Sequence, residues 1–381
     1  MVDEIAGVRF GGDTRITRIE WARLQGTRPR HAGSNARLGA HGLQVGVPIA
    51  RLTTADGAMG WGRAVLDRET AETWCGKPLV DLFIPALLRA LELPLLDLHG
   101  QLAGRPAYAL FNAEPPVAPL RVRCYDTSLY FDDLHLSDDA AAVDLLVREA
   151  REGWERGHRA FKIKVGRGAR HMPLEAGTKR DIAIIRGIRE AVGPEAPLML
   201  DANNGWNLNL TKRVLEETAE CRIHWMEEAF HEDPVLYRDL KEWMHARGIN
   251  TLIADGEGDA APALVNWAQE GLVDVLQYDI FGYGVSRWRT LGSGIASTAI
   301  RSAPHHYGAH LGNYITGHLA YALPRFEFVE WDEVHTPGID ASGYTIDNGL
   351  VTIPNTPGFG LDLDEALFQQ SIQQNGFTVS L

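Results

Sequence analysis

Residues 160–166, AFKIKVG, decide the fold. Phe161, Ile163 and Val165 alternate with Lys162 and Lys164, the period-2 pattern of a strand with two unlike faces. Helix-length stretches flank this strand on both sides, and strands that alternate with helices lie in a parallel sheet covered on both faces. Two ammonium groups placed there need anionic company. Reading outward, RVRCYDTSLYF (121–131) precedes the lysine strand. After it come APLMLDAN (196–203), RIHWMEEAF (222–230), NTLIADGEG (250–258), LVDVLQYDIF (272–281), AIRSAPHH (299–306) and FEFVEWDE (326–333). Each is a short apolar run that ends in charged or imidazole residues. From Lys164 through Asp201, Glu227, Glu257, Asp279, His305 and Glu330 the steps are 37, 26, 30, 22, 26 and 25 residues. A strand, its helix and the next strand need roughly 30 residues. That beat predicts a (β/α) barrel with functional groups at the C-terminal strand ends. A doubly wound open sheet is the rival, but it gathers its site at one switch point and does not need a polar residue at every strand end.

The chain of 381 residues has room for such a barrel and an addition. Its 37 basic against 50 acidic residues give a net charge of −13, the wrong sign for a general nucleic-acid binder. Three cysteines, Cys75, Cys124 and Cys221, lie far apart without a CxxC and fit a reducing cytoplasm. No signal peptide and no membrane span are expected. The first 60 residues read as strands, ITRIEWARL (16–24) and LQVGVPIARLTTADGAMGWGRA (43–64), around a polar loop at 25–42. Ala55-Asp56-Gly57 is a hairpin signal. A helix is expected over 80–98, a domain boundary near Pro115-Pro116, and a helix N-cap at Ser137.

Asp201, Glu227 and Glu257 are carboxylates on adjacent strand ends. Converging without a cation they would repel one another, and an all-oxygen set of this kind suits a hard cation such as Mg²⁺. The lysines then gain anionic neighbours while the cation opposes their protonation, so that one of them can titrate low enough to act as a base. Buried salt bridges between lysines and acids are the alternative. Opposite the lysines, Asp279 can hold the tautomer of His305. His306 would point the other way. Glu330 can support a developing oxyanion or serve as a structural partner of Lys162.

Lys-x-Lys, LDAN, WMEEAF, DGEG, an Asp, a His and a Glu in this order resemble the mandelate racemase and muconate-lactonising group of the enolase superfamily. The resemblance implies an α+β capping domain over residues 1–115, completed by 355–381, and a modified (β/α)7β TIM-type barrel over 116–354. It implies Mg²⁺ on Asp201, Glu227 and Glu257, with Lys164 as the catalytic lysine and Lys162 beside the substrate carboxylate. It further implies the Asp279–His305 dyad on the other face, Glu330 hydrogen-bonded to the substrate carboxylate, and Asn203 as a polar group beside the first ligand. IADGEG also offers Asp255 as the third ligand, and GRGARHMPLEAGTKR (166–180) looks like an insertion above the site. The shared chemistry is removal of the proton next to a carboxylate through an enediolate. A dehydratase making a 2-keto-3-deoxy acid from an aldonate or aldarate is favoured, with a racemase or epimerase as the alternative. The ground is the capping loop, where Arg28, Arg30, His31, Asn35, Arg37 and His41 suit a hydroxylated substrate that can carry two acid groups; a solvated basic loop is the plainer reading. A non-catalytic metal-binding barrel would keep the carboxylates and lose the bases. The expected partner is a small carboxylate, with the protein a homo-oligomer.

Overall fold

The computed structural model describes residues 4–5, 8–9, 14–82, 85–111, 116 and 119–381. Of the boundary expected near Pro115-Pro116, Pro115 and the residues just before it lie outside this set. Eight strands run parallel: β4 (Leu120–Leu129), β5 (Phe161–Lys164), β6 (Leu198–Asp201), β7 (Trp225–Glu227), β8 (Leu252–Asp255), β9 (Val275–Leu276), β10 (Arg301–Ser302) and β11 (Val329–Trp331). They pair in sequence order from β4 to β10. The ring closes because β11 pairs with β4 and a parallel bridge joins Ser302 to Phe326. Helices α2 (Asp139–Glu155), α3 (Leu174–Val192), α4 (Leu208–Glu217), α5 (Pro234–Ala246), α6 (Leu264–Gln269), α7 (Val285–Ile295) and α8 (Gly312–Leu319) follow the first seven strands. This is the expected (β/α)7β barrel.

The lysine strand shows how the pattern is used. Phe161, Ile163 and Val165 join the core between barrel and helices, while Lys162 and Lys164 turn the other way and are also buried. Below them, Tyr125, Met199, Trp225, Ala254, Val275, Ala303 and Phe328 form an apolar layer. A barrel interior is packed in layers of side chains, so the charged layer sits on a dry floor. The N-cap of α2 is Asp138, not Ser137: its carboxylate accepts from the Ala141 amide at 3.1 Å.

After β11 the chain passes through short strands before its next helix, Glu365–Asn375. One of these strands, Leu350–Ile353 (β12), lies antiparallel against the first half of β4. The chain then returns to an antiparallel sheet built from β1 (Ile16–Ala32), β2 (Gly42–Thr54) and β3 (Met59–Arg63), with β13 (Phe377–Ser380) on the β1 edge. The hairpin at Ala55–Gly57 forms as read, with Gly57 at φ +87°. Helix α1 spans Pro85–Ala103, later than expected, and lies directly on β3. A Cβ on Gly60 would come within 2.2 Å of the Leu98 backbone, so only glycine permits that approach.

Two further expectations are corrected. The 25–42 segment is not all loop, because β1 runs on to Ala32. Its alternate residues are held by remote acids: Arg28 pairs with Asp332 and Arg30 with Glu149 and Glu152. The 166–180 segment is not loop throughout, since α3 begins at Leu174 behind Pro173. Arg167 is fully buried between Asp133 (2.6 Å) and Asp181 (2.7 Å) and Arg180 pairs with Asp133 and Asp139, so these arginines brace the turn after β5.

Candidate active site

Parallel register sets Lys164 beside Asp201, and Asp201 beside Glu227. Lys162 Nζ stands 2.7 Å from Glu227, 3.0 Å from Glu330 and 3.5 Å from Asp201, and Lys164 Nζ donates to Asp201 Oδ2. Burial works against both ammonium groups, yet the carboxylates outweigh it and hold both lysines above the ordinary range, with Glu227 leading at Lys162 and Asp201 at Lys164. The depressed lysine expected from sequence is therefore not what the protein's own groups produce. A divalent cation among the acids acts in the opposite direction.

Asp201, Glu227 and Glu257 each bring one carboxylate oxygen within 4.8 Å of the others. Glu227 Oε2 also accepts from Trp225 Nε1 (3.0 Å) and Gln277 Nε2 (2.9 Å), and Asp201 Oδ1 from the Asn203 amide (2.9 Å). Burial pushes the Glu227 carboxyl up to about 8 despite Lys162, with Asp201 and Glu257 adding to the rise. Such a crowd of hard oxygens fits a cation like Mg²⁺. The buried Asn203 Oδ1 has no hydrogen-bond partner and adds an unused oxygen beside the group. Asp255 is engaged elsewhere: Tyr237 Oη donates to it at 2.6 Å and the Gly256 amide at 2.8 Å. Sequence reading missed Glu228, whose carboxylate accepts from Asn203 Nδ2 (3.1 Å) and Asn204 Nδ2 (2.9 Å). Asn203, Asn204 and Glu228 all sit at positive φ, 43°, 60° and 42°. Left-handed backbone at a non-glycine residue costs about 1–3 kcal/mol and clusters at functional sites.

On the other side of the mouth, His305 Nδ1 lies 3.1 Å from Asp279 Oδ2, and Asp279 Oδ1 caps the next turn through the Phe281 and Gly282 amides. His305 Nε2 points inward, 3.2 Å from Glu257 and 3.9 Å from Glu330. The His306 ring turns away against Gly312, where a Cβ would meet it at 2.3 Å. Glu330 accepts from Thr127 Oγ1 (2.8 Å) and from the His306 and Tyr307 amides (2.9 and 3.1 Å). Burial opposes its charge, but Lys162 and the two histidines hold it well below the usual carboxylate range. Glu330 is thus an ionised partner of Lys162, not a protonated acid.

The capping loop is not the free basic surface that its composition suggested. Arg28 Nη2 is 3.2 Å from Asp332, and its guanidinium lies over the Tyr307 ring at 4.8 Å. His31 is exposed and is not brought to the cluster. Asn35 Oδ1 caps its own turn by accepting from the Arg37 (2.9 Å) and Leu38 (2.6 Å) amides. His41 instead reaches inward, edge-on to Tyr130 and Tyr307 at 5.0 and 5.4 Å. Neither tyrosine carries a sequence signal, because each becomes visible only once the loops after β4 and β10 meet.

A lysine and a histidine from nearly opposite strands flank three convergent acids at a barrel mouth, an arrangement with groups able to move a proton on either side of a bound carboxylate. Residues 145–367 match the family model described as enolase C-terminal domain-like. The chain belongs to that family. Within it the chain falls in the mandelate racemase and muconate-lactonising group. Galacturonate dehydratase from Geobacillus sp., in a crystal structure with D-galacturonate and 5-keto-4-deoxy-D-galacturonate, is 50% identical and superposes with a TM-score of 0.93 over 97% of this chain and 100% of that one. A variant of it holding Mg superposes at 0.95, again 50% identical and covering 98% of both chains. D-galactarolactone cycloisomerase of Agrobacterium fabrum is 27% identical over 73% of this chain and 71% of its own length. D-gluconate/D-galactonate dehydratase of Picrophilus torridus is 25% identical over 75% and 71%. No helix among the described residues is long and apolar enough to cross a membrane.

Proposed function

We propose that this protein is a Mg²⁺-dependent acid-sugar dehydratase whose product is a 2-keto-3-deoxy acid. The observation that carries the reading is the placement of Lys164 and His305 on either side of the Asp201, Glu227 and Glu257 oxygens, which lie within 4.8 Å of one another. Similarity to galacturonate dehydratase over the whole chain supports dehydration over racemisation. Asp201, Glu227 and Glu257 would hold the metal, and a bound Mg²⁺ would supply the positive charge that stabilises the negative charge developing on a carboxylate as the neighbouring C–H bond breaks. Lys162, anchored by Glu227 and Glu330, adds a fixed positive charge on the same side, and Asn203 orients beside the first ligand.

Lys164 and His305 divide the proton work. One takes the α-proton and the other protonates the departing β-hydroxyl, so that water leaves and the resulting enol becomes a ketone. Asp279 keeps the His305 Nδ1 side occupied and leaves Nε2 facing the substrate. In the same reading the substrate is a small carboxylate and the protein works in the cytoplasm as a homo-oligomer. The test is incubation of purified protein and Mg²⁺ with a panel of uronates, aldonates and aldarates, scored for 2-keto acid. Keto acid from one or more members, abolished by EDTA and restored by Mg²⁺, is the expected result. An isomer of unchanged mass assigns an epimerase instead, and no reaction across the panel rejects the acid-sugar reading.

A further inference from the structure

The acid triad occupies the β6, β7 and β8 side of the barrel mouth. Across from it, Tyr130 follows β4 and Tyr307 follows β10, their rings stacked with centroids 4.8 Å apart. Lys164 Nζ lies 5.3 Å from the Tyr130 ring centroid, so this aromatic pair adjoins the reacting position. A substrate whose carboxylate sits at the acids therefore extends its other end toward Tyr130 and Tyr307. Above them stand His41 and Arg28.

We infer that His41, Tyr307, Arg28 and Asp332 receive the end of the substrate remote from its carboxylate, and that they select acid sugars with an uncharged far end over aldarates. The inference rests on the acid-sugar reading above and narrows its substrate class. Three observations carry it. Arg28, the cation that composition offered for a second carboxylate, is already matched at 3.2 Å by Asp332, and both are buried. Arg30 is committed to Glu149 and Glu152 in the same way. His41 presents a buried Nε2 with no hydrogen-bond partner, and burial together with the charges of Lys164 and Arg28 holds this imidazole down to about 4, hence neutral. The wall thus offers hydrogen bonding without net charge. A hydroxyl, aldehyde or hemiacetal is accommodated there. A second carboxylate would lose its water and gain no counter-charge, which is costly.

D-galacturonate and galactarate differ at the far carbon, an aldehyde or its hemiacetal in one and a carboxylate in the other. Their dissociation constants, measured by calorimetry with Mg²⁺ in the His305→Asn background so that turnover does not intrude, read the selectivity directly. Galactarate is expected to bind at least about tenfold more weakly. Asp332→Asn, which frees the Arg28 charge, should move the ratio toward galactarate by about tenfold. His41→Lys should move it the same way and serves if Asp332→Asn does not fold. Equal affinities, or a ratio that neither folded variant moves, overturn the inference. Keto acid formation by the unmodified protein is scored separately, so a binding preference without turnover counts against the proposed function and not against this wall.

Discussion

His158 ties the entry of the lysine strand to the segment after β11, and its removal has a magnitude that can be worked out. The ring is fully buried, with Nε2 2.7 Å from Glu333 Oε1 and Nδ1 3.9 Å from Cys124 Sγ. Burial alone would lower its pKa, but the contacts with Cys124 and Glu333 and the Asp126 charge reverse that and raise it from 6.5 to about 10. The folded-state value lies above the unfolded one, so the contribution is fully present below pH 6.5 and is lost as pH rises through 10. The shift corresponds to about 5 kcal/mol at low pH, of which about 3 kcal/mol remains at pH 8. His158→Gln keeps a polar side chain but carries no charge. Denaturant unfolding of both proteins from pH 6 to 10.5 should show a stability gap of several kcal/mol that closes across this window. A gap that stays constant with pH would mean that His158 is neutral in the fold, and the argument from Glu333 and Asp126 would fail.

The remaining predictions concern the metal set and the turn behind Lys164. Glu257→Gln should weaken Mg²⁺ binding, read by calorimetry, by about 10- to 100-fold, whereas Asp255→Asn should change it by less than about threefold. The reverse ordering would transfer the third ligand to Asp255. Gly177→Ala should destabilise the protein by about 1–3 kcal/mol in denaturant unfolding, because its Cβ would come within 2.3 Å of the Gly168 backbone nitrogen, which cannot step aside. A change below about 0.5 kcal/mol would show that α3 can shift away from that turn.

The barrel was legible because each strand is a short apolar run ending in chemistry, and because LDAN, WMEE and DGEG keep the spacing of successive strands. The lysines were legible as a pair facing one way, and the structure supplies their acids at the expected strand ends. What sequence left open was decided by residues far away along the chain. Asp255 and Glu257 stand two positions apart with equal chemistry, and it is Tyr237 that occupies the first and leaves the second to the group. Arg28 looked free because its counter-ion, Asp332, lies 304 residues later. The basic 166–180 segment looked like an insertion above the site because the acids that bury Arg167, Asp133 and Asp181, lie 34 and 14 residues from it along the chain. Charge read along a chain reports what must be neutralised, not what neutralises it.

Proton traffic between Lys164 and His305 is the centre of this account, and turnover in D₂O tests it most directly. The acid sugar that gives a keto acid in the panel, with D-galacturonate tried first, should lose water and take one deuterium onto the carbon that carried the departing hydroxyl. Lys164→Ala and His305→Asn should each abolish that product while Mg²⁺ still binds. Deuterium at the α-carbon of a product of unchanged formula, or wild-type turnover in both variants, would contradict the account.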